Sequence, residues 1–257
     1  MKLEFVPLLQ IQRDFYTLPS GQERFRIYLE TLLTTDASDV ELFPLVMMNP
    51  MGKDHIPAVL DTLLEIDADT VAASTIADIS AQFKENSDAF KLGLVIVDDV
   101  KGGWTNRYTL EFTVRFEVER SLKRGWLSVI LWASEVPSKQ KVQEETLSTV
   151  YRTAYIQQHG VAHTLQDMLY QEGYAMAMAG CQHPDLELDD LAYTSEVIAP
   201  YLLTRDYPTI LTCLFGDRAA QSLGYAPQGL SDRAGLALAL YQAQHNIGRN
   251  LREGKAI

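Results

Sequence analysis

Between residue 20 and about residue 83 the apolar positions recur at helical spacing. Phe25, Tyr28, Leu29 and Leu32 form one stripe behind Ser20 and Glu23, a capping-box pair, which predicts a helix over about 20–33. Asn49-Pro50 and Gly52 then punctuate a loop, Asp54 stands where a cap belongs, and Ile56 to Leu64 open a second helix. A third helix is expected over about 69–83, ending before the polar run KENSD.

The rhythm changes after that. Leu92 to Val97 is a short β-branched run, and residues 108–118 alternate strictly: Tyr108, Leu110, Phe112, Val114, Phe116 and Val118 against Thr109, Glu111, Thr113, Arg115 and Glu117. Such alternation predicts a half-buried strand. Gly125 to Ala133 is apolar at every second position and between, which suits a strand covered on both faces. The connections are short and Gly102-Gly103 reads as a hairpin tip, so the three strands are expected to form an antiparallel meander over about 92–133.

From Ser138 onward the pattern is helical. Residues 140–180 keep one apolar arc, as one long helix or two collinear ones hinged near Gly160. Further helices are expected over about 187–204, 208–222 and 231–246, with Tyr207-Pro208 as a separator and Ser231 or Asp232 as a cap. The expected fold is α+β and mostly helical, the meander packed with N-terminal helices and a helical C-terminal half. It reads as a single domain over 1–257, with 1–135 and 136–257 as the natural subdivision.

Composition narrows the function classes. The 257 residues are 47% hydrophobic, ample for a core, and 34 acidic against 22 basic residues give a net charge of −12. A face that must neutralise phosphates is not expected from that balance, so nucleic acid is excluded as a partner. Cys181 and Cys213 form neither a CxxC site nor a disulfide framework and are expected to be reduced. The N-terminal run is interrupted by Glu4 and Gln10 without a small-residue cleavage site, and no run of about eighteen apolar residues occurs, so a soluble cytoplasmic protein with no membrane partner is expected.

Glu172 is the sharpest anomaly. On a wheel at 100° per residue it lies among Leu165, Met168, Leu169, Met176 and Ala179, where an ionised carboxylate costs several kcal/mol unless paired, hydrogen-bonded or protonated. It is therefore a candidate catalytic acid or base with a raised pKa, or one half of a buried pair with an arginine such as Arg107, Arg205 or Arg233. His163 and Asp167, four residues apart, are candidate ligands for a divalent metal, whereas His159 and Asp167, about 12 Å apart along a helix axis, cannot share one ion. Their stripe, with Tyr170, also suits a solvated face or a homodimer contact.

Trp104, Asn106 and Arg107 are candidate ligand-binding residues, since an aromatic, an amide and a guanidinium within four residues can grip a planar or anionic group. The stretch NPMGKDH, residues 49–55, brings Lys53 to a helix N-terminus, but its glycine spacing matches neither a P-loop nor a dinucleotide fingerprint, so no nucleotide cofactor is implied. No nucleophile motif is complete. These residues point to a ligand-binding or protein-interaction domain, with a hydrolase or isomerase using Glu172 as acid or base as the alternative.

Overall fold

The computed structural model describes residues 1–83, 87–100, 105–182 and 186–253. The chain divides into two compact units, Met1–Leu110 with Val118–Thr149, and Glu111–Glu117 with Val150–Ile257.

The first unit is built on a three-stranded sheet of order β1-β2-β3, formed by Lys2–Phe5, Ala89–Val97 and Trp126–Trp132. Both pairings are parallel, from Lys2↔Ala89 to Phe5↔Leu92 and from Lys91↔Trp126 to Val97↔Trp132. This overturns the antiparallel meander. Helices α1 (Leu9–Phe15), α2 (Gln22–Leu32), α3 (His55–Glu65) and α4 (Ala68–Ile79) occupy the crossover from β1 to β2, and α5 (Arg107–Phe116) and α6 (Glu119–Lys123) the crossover from β2 to β3. The supposed middle strand is thus the helical connection that parallel neighbours require.

Why 108–118 coils is visible in its burial. Glu111, Phe112, Arg115 and Phe116 are buried while Thr113 and Glu117 are exposed, a helical stripe that strict alternation also satisfies on paper. The Oδ1 of Asn106 accepts the N–H groups of Tyr108 at 3.0 Å and Thr109 at 3.2 Å, which starts the helix. Phe112 and Phe116 stack at 5.1 Å, and the charged pair between them is buried because it finds partners.

Strands β2 and β3 are buried along nearly their whole length, as parallel strands covered on both faces must be. β1 is shorter than β2 and runs out opposite Leu92, where Val6 N–H still donates to the Leu92 carbonyl at 2.8 Å. Beyond it the side chain of Gln12 replaces the missing strand. Its Oε1 accepts the Ile96 N–H at 3.0 Å and its Nε2 donates to the Ile96 carbonyl at 2.7 Å.

Several predicted helices are present with altered ends. Ser20 does not cap α2; its N-cap is Gly21, and Glu23 instead pairs with Arg26 at 2.6 Å. The stretch 140–180 is two helices, α7 (Lys139–His159) and α8 (Leu165–Met178), separated where Gly160 adopts a φ of 83° that other residues rarely take. The boundary between the units falls within α5 and within α7.

In the second unit, α9 (Leu188–Ile198), α10 (Tyr207–Phe215), α11 (Asp217–Ser222) and α12 (Ala234–Glu253) join α8. α12 packs along α8 and also meets α9 and α10. The α8–α12 approach depends on Gly173, where a Cβ would come within 2.5 Å of the Ala239 carbonyl oxygen. Among the described residues no helix is long and apolar enough to cross a membrane.

Candidate functional site

The carboxyl ends of parallel strands are where open α/β sheets gather polar side chains. Here β2 runs directly into Asp98 and Asp99, and both carboxylates turn inward, with side chains only 4% exposed. Asp98 accepts three hydrogen bonds: from His55 Nε2 at 2.9 Å, Asn49 Nδ2 at 3.0 Å and the Val100 N–H at 3.1 Å.

The segment that delivers His55 is anchored independently of it. Asn49 Oδ1 turns the chain by accepting the Met51 N–H at 3.0 Å, and Tyr16 donates its hydroxyl proton to the Asn49 carbonyl at 2.5 Å. The buried Arg24 guanidinium donates to the carbonyls of Leu18, Pro50 and Gly52 and lies 5.2 Å from the Tyr16 ring centroid. Burial above all, then the Asp98 charge, pushes the Tyr16 phenol up against the opposing pull of Arg24, so it stays protonated.

His55 follows at the first position of α3, with its side chain 22% exposed. An ionised Asp98 can only accept, so Nε2 carries the proton and Nδ1 is left as the basic nitrogen of the neutral ring. A carboxylate placed this way fixes the orientation and tautomer of the ring.

Asp99 belongs to a second network. It accepts Ser134 N–H at 2.9 Å, Ser134 Oγ at 2.6 Å and Arg107 Nη1 at 3.1 Å. Arg107 continues to Glu135 and lies 4.8 Å from the Trp132 ring centroid, and Lys141 bonds both Glu135 and Glu145 at 3.0 Å. Burial alone would raise the Glu135 carboxyl, but Lys141 and Arg107 outweigh it and hold it below the usual range. The arrangement clasps the ends of β2 and β3 to the starts of α5 and α7.

Of the residues read from sequence as ligand-binding, Arg107 is thus the centre of this clasp and Asn106 caps α5. Trp104 lies outside the described residues. Glu172, grouped with Arg107 by sequence, falls in the other unit.

There Glu172 is fully buried in a chain of charges. Arg152 grips it through Nε to Oε1 at 2.6 Å and Nη2 to Oε2 at 2.9 Å, Gln171 adds Nε2 to Oε1 at 3.1 Å, and Arg115 Nη1 bonds Oε2. Arg115 also reaches Glu111 at 2.9 Å, and Arg233 clamps Glu111 at 2.8 and 2.5 Å. Burial is the largest single influence on Glu172 and acts upward, yet the two guanidiniums together bring it down to about 2. That is opposite in direction to the raised pKa an acid–base role would use. Of the arginines expected from sequence, Arg233 reaches the network through Glu111.

The metal candidates also have other work. Asp167 Oδ2 accepts the N–H and hydroxyl of Thr164 at 3.0 and 2.8 Å and the His163 N–H at 3.3 Å, completing a capping box at α8. Among the described residues no group of three or more His, Cys, Asp or Glu side chains is placed to hold a metal ion. Cys181 and Cys213 form no disulfide among the described residues, and burial pushes the Cys213 thiol up to about 12.

Sequence reasoning did not pair His55 with Asp98, which lie 43 positions apart and meet only in the fold. The signal available was a histidine just after a loop rich in turn residues and an aspartate pair directly after an apolar strand. Against protein-family models, curated protein sequences and solved structures, the chain matches none.

Proposed function

We propose that the α/β unit binds a small polar molecule at the carboxyl ends of its parallel strands, with His55 as the group that meets it. The observation that carries this reading is the bond from His55 Nε2 to the buried Asp98, made by a side chain that stays 22% exposed and whose Nδ1 has no hydrogen bond among the described residues. A purely structural clip between loop and strand is the competing explanation. It has less to explain, because Asn49, Tyr16 and Arg24 already hold the loop. We place the protein in the cytoplasm, because two cysteines supply no disulfide framework.

A second reading is acid–base catalysis at the same place, favoured by the orientation of His55 on a buried carboxylate, the arrangement that general bases use. A thermal-shift screen of polar metabolites tests binding. Compounds that raise the melting temperature of the wild type are expected to lose their effect in His55→Gln, with the unliganded melting temperature little changed. Compounds that stabilise both proteins equally would place the ligand elsewhere. Turnover of a bound compound, lost in His55→Gln and Asp98→Asn, would establish the second reading.

A further inference from the structure

At the opposite, amino ends of the same strands lies an open cavity of about 640 Å3, within the size range of small-molecule sites. It exists because one face of the sheet is only half covered. Leu8 packs directly over Gly93, but toward the amino ends Lys2, Glu4, Ala89 and Lys91 stay exposed on that face. Parallel sheets are ordinarily covered on both faces, so an uncovered half is a departure.

The lining is also a departure from the charge of the chain. In a protein of net charge −12, Lys2, Lys91, Lys123 and Arg124 all border this one cavity. Arg124 is taken by Asp39 at 2.6 Å, and Lys123 reaches only the exposed Glu119 at 3.8 Å. Among the described residues Lys2 and Lys91 have no carboxylate within ion-pair distance, although Glu4 is in register with Lys91. Lys91 instead stands 5.8 Å from the Trp126 ring centroid, and Trp126 Nε1 donates to the Glu41 carbonyl at 3.1 Å, which fixes the 39–41 segment as a wall. Glu4 and Glu41 also line the cavity beside these lysines.

We propose that this cavity is a second binding site, for a phosphate ester of a small polyol. Lysine ammonium groups hold a phosphate as point charges, and neighbouring carboxylates accept hydrogen bonds from hydroxyl groups. Unpaired lysines alone would suit any anion. Free carboxylates beside them disfavour a bare anion and favour a ligand that carries donors as well. The volume exceeds what inorganic phosphate fills.

Calorimetric titration of the full chain with triose, pentose and hexose monophosphates tests this, with the unphosphorylated sugars and inorganic phosphate as controls. At least one ester is expected to bind in the micromolar to millimolar range, at least tenfold tighter than inorganic phosphate or its parent sugar. Lys91→Gln and Lys2→Gln, both at exposed positions, are each expected to weaken it severalfold with unchanged melting temperature, Glu4→Gln to weaken it as well, and His55→Gln to leave it unchanged. No binding of any ester, equal binding of inorganic phosphate, or binding indifferent to Lys91→Gln would overturn the proposal. Sensitivity to His55→Gln rather than to Lys91→Gln would assign the ester to the other end of the strands and likewise overturn it.

Discussion

Arg152 holds Glu172 with two parallel hydrogen bonds, Nε to Oε1 and Nη2 to Oε2, and both side chains are buried. The pair is a structural dependency. A carboxylate without water needs every one of its partners, and removing one side strands the charge of the other. Glu172→Gln is therefore expected to cost about 3–5 kcal/mol, read as a lower denaturation midpoint at unchanged slope. A variant as stable as the wild type would show that the network is not needed by the fold.

The same carboxylate sets an acid limit. Its folded pKa of about 2 is below that of the unfolded chain, so its stabilisation is present at neutral pH and is lost as pH falls from about 5 toward 2. Acid unfolding of the wild type should be steeper than that of Glu172→Gln over this window when followed by circular dichroism. Parallel curves would contradict it.

Asp69 acts in the other direction. Its carboxylate accepts the Leu9 N–H at the start of α1, but Oδ1 is buried without a hydrogen-bond partner among the described residues, and burial raises its pKa to about 6. A folded pKa above the unfolded one means that the folded state holds the extra proton, so stability declines as pH rises from about 4 through 6. Asp69→Asn keeps an acceptor for Leu9 and is expected to stabilise the protein by about 1 kcal/mol at pH 8, after discounting for partial solvent screening, and by nothing at pH 4. Equal effects at both pH values would count against the raised pKa.

Gln12 offers a test of the sheet. Gln12→Met keeps the volume but leaves the Ile96 N–H and carbonyl without partners, at a cost of roughly 1–3 kcal/mol for each group. Hydrogen exchange at the Ile96 amide should accelerate strongly while exchange at Val95, which faces the other neighbour, changes less. Unaltered protection at Ile96 would mean that another group replaces the glutamine.

What the sequence disclosed follows from where the information lies. β3 was readable because its seven residues are apolar on both faces apart from Ser128, and all but Ser128 are buried. α5 was not, because Glu111 and Arg115 resemble the outward face of a strand and are buried against partners such as Arg233 and Glu172, 122 and 57 positions away. The spacing of Tyr108, Phe112 and Phe116 behind Asn106 carried the helical signal but competed with a complete alternation. β1, with an exposed Lys2 and Glu4, alternates over only four residues, too short a run to mark a strand. Glu172 stood out because it violates its own helix, a local fact, whereas its partners are a tertiary one. His55 and Asp98 violated nothing locally; the pattern marked a histidine after a turn-rich loop and an aspartate after an apolar strand, but not that the two meet.

The most direct test of the proposed binding site is amide chemical-shift mapping with a compound that stabilises the wild type in the thermal screen. The shifts should concentrate at residues 49–55, at Asp98–Val100 and at Ser134, and should vanish in His55→Gln. Shifts confined to the helical unit around Glu172, or unchanged by the loss of His55, would contradict the assignment of the site to the carboxyl ends of the strands.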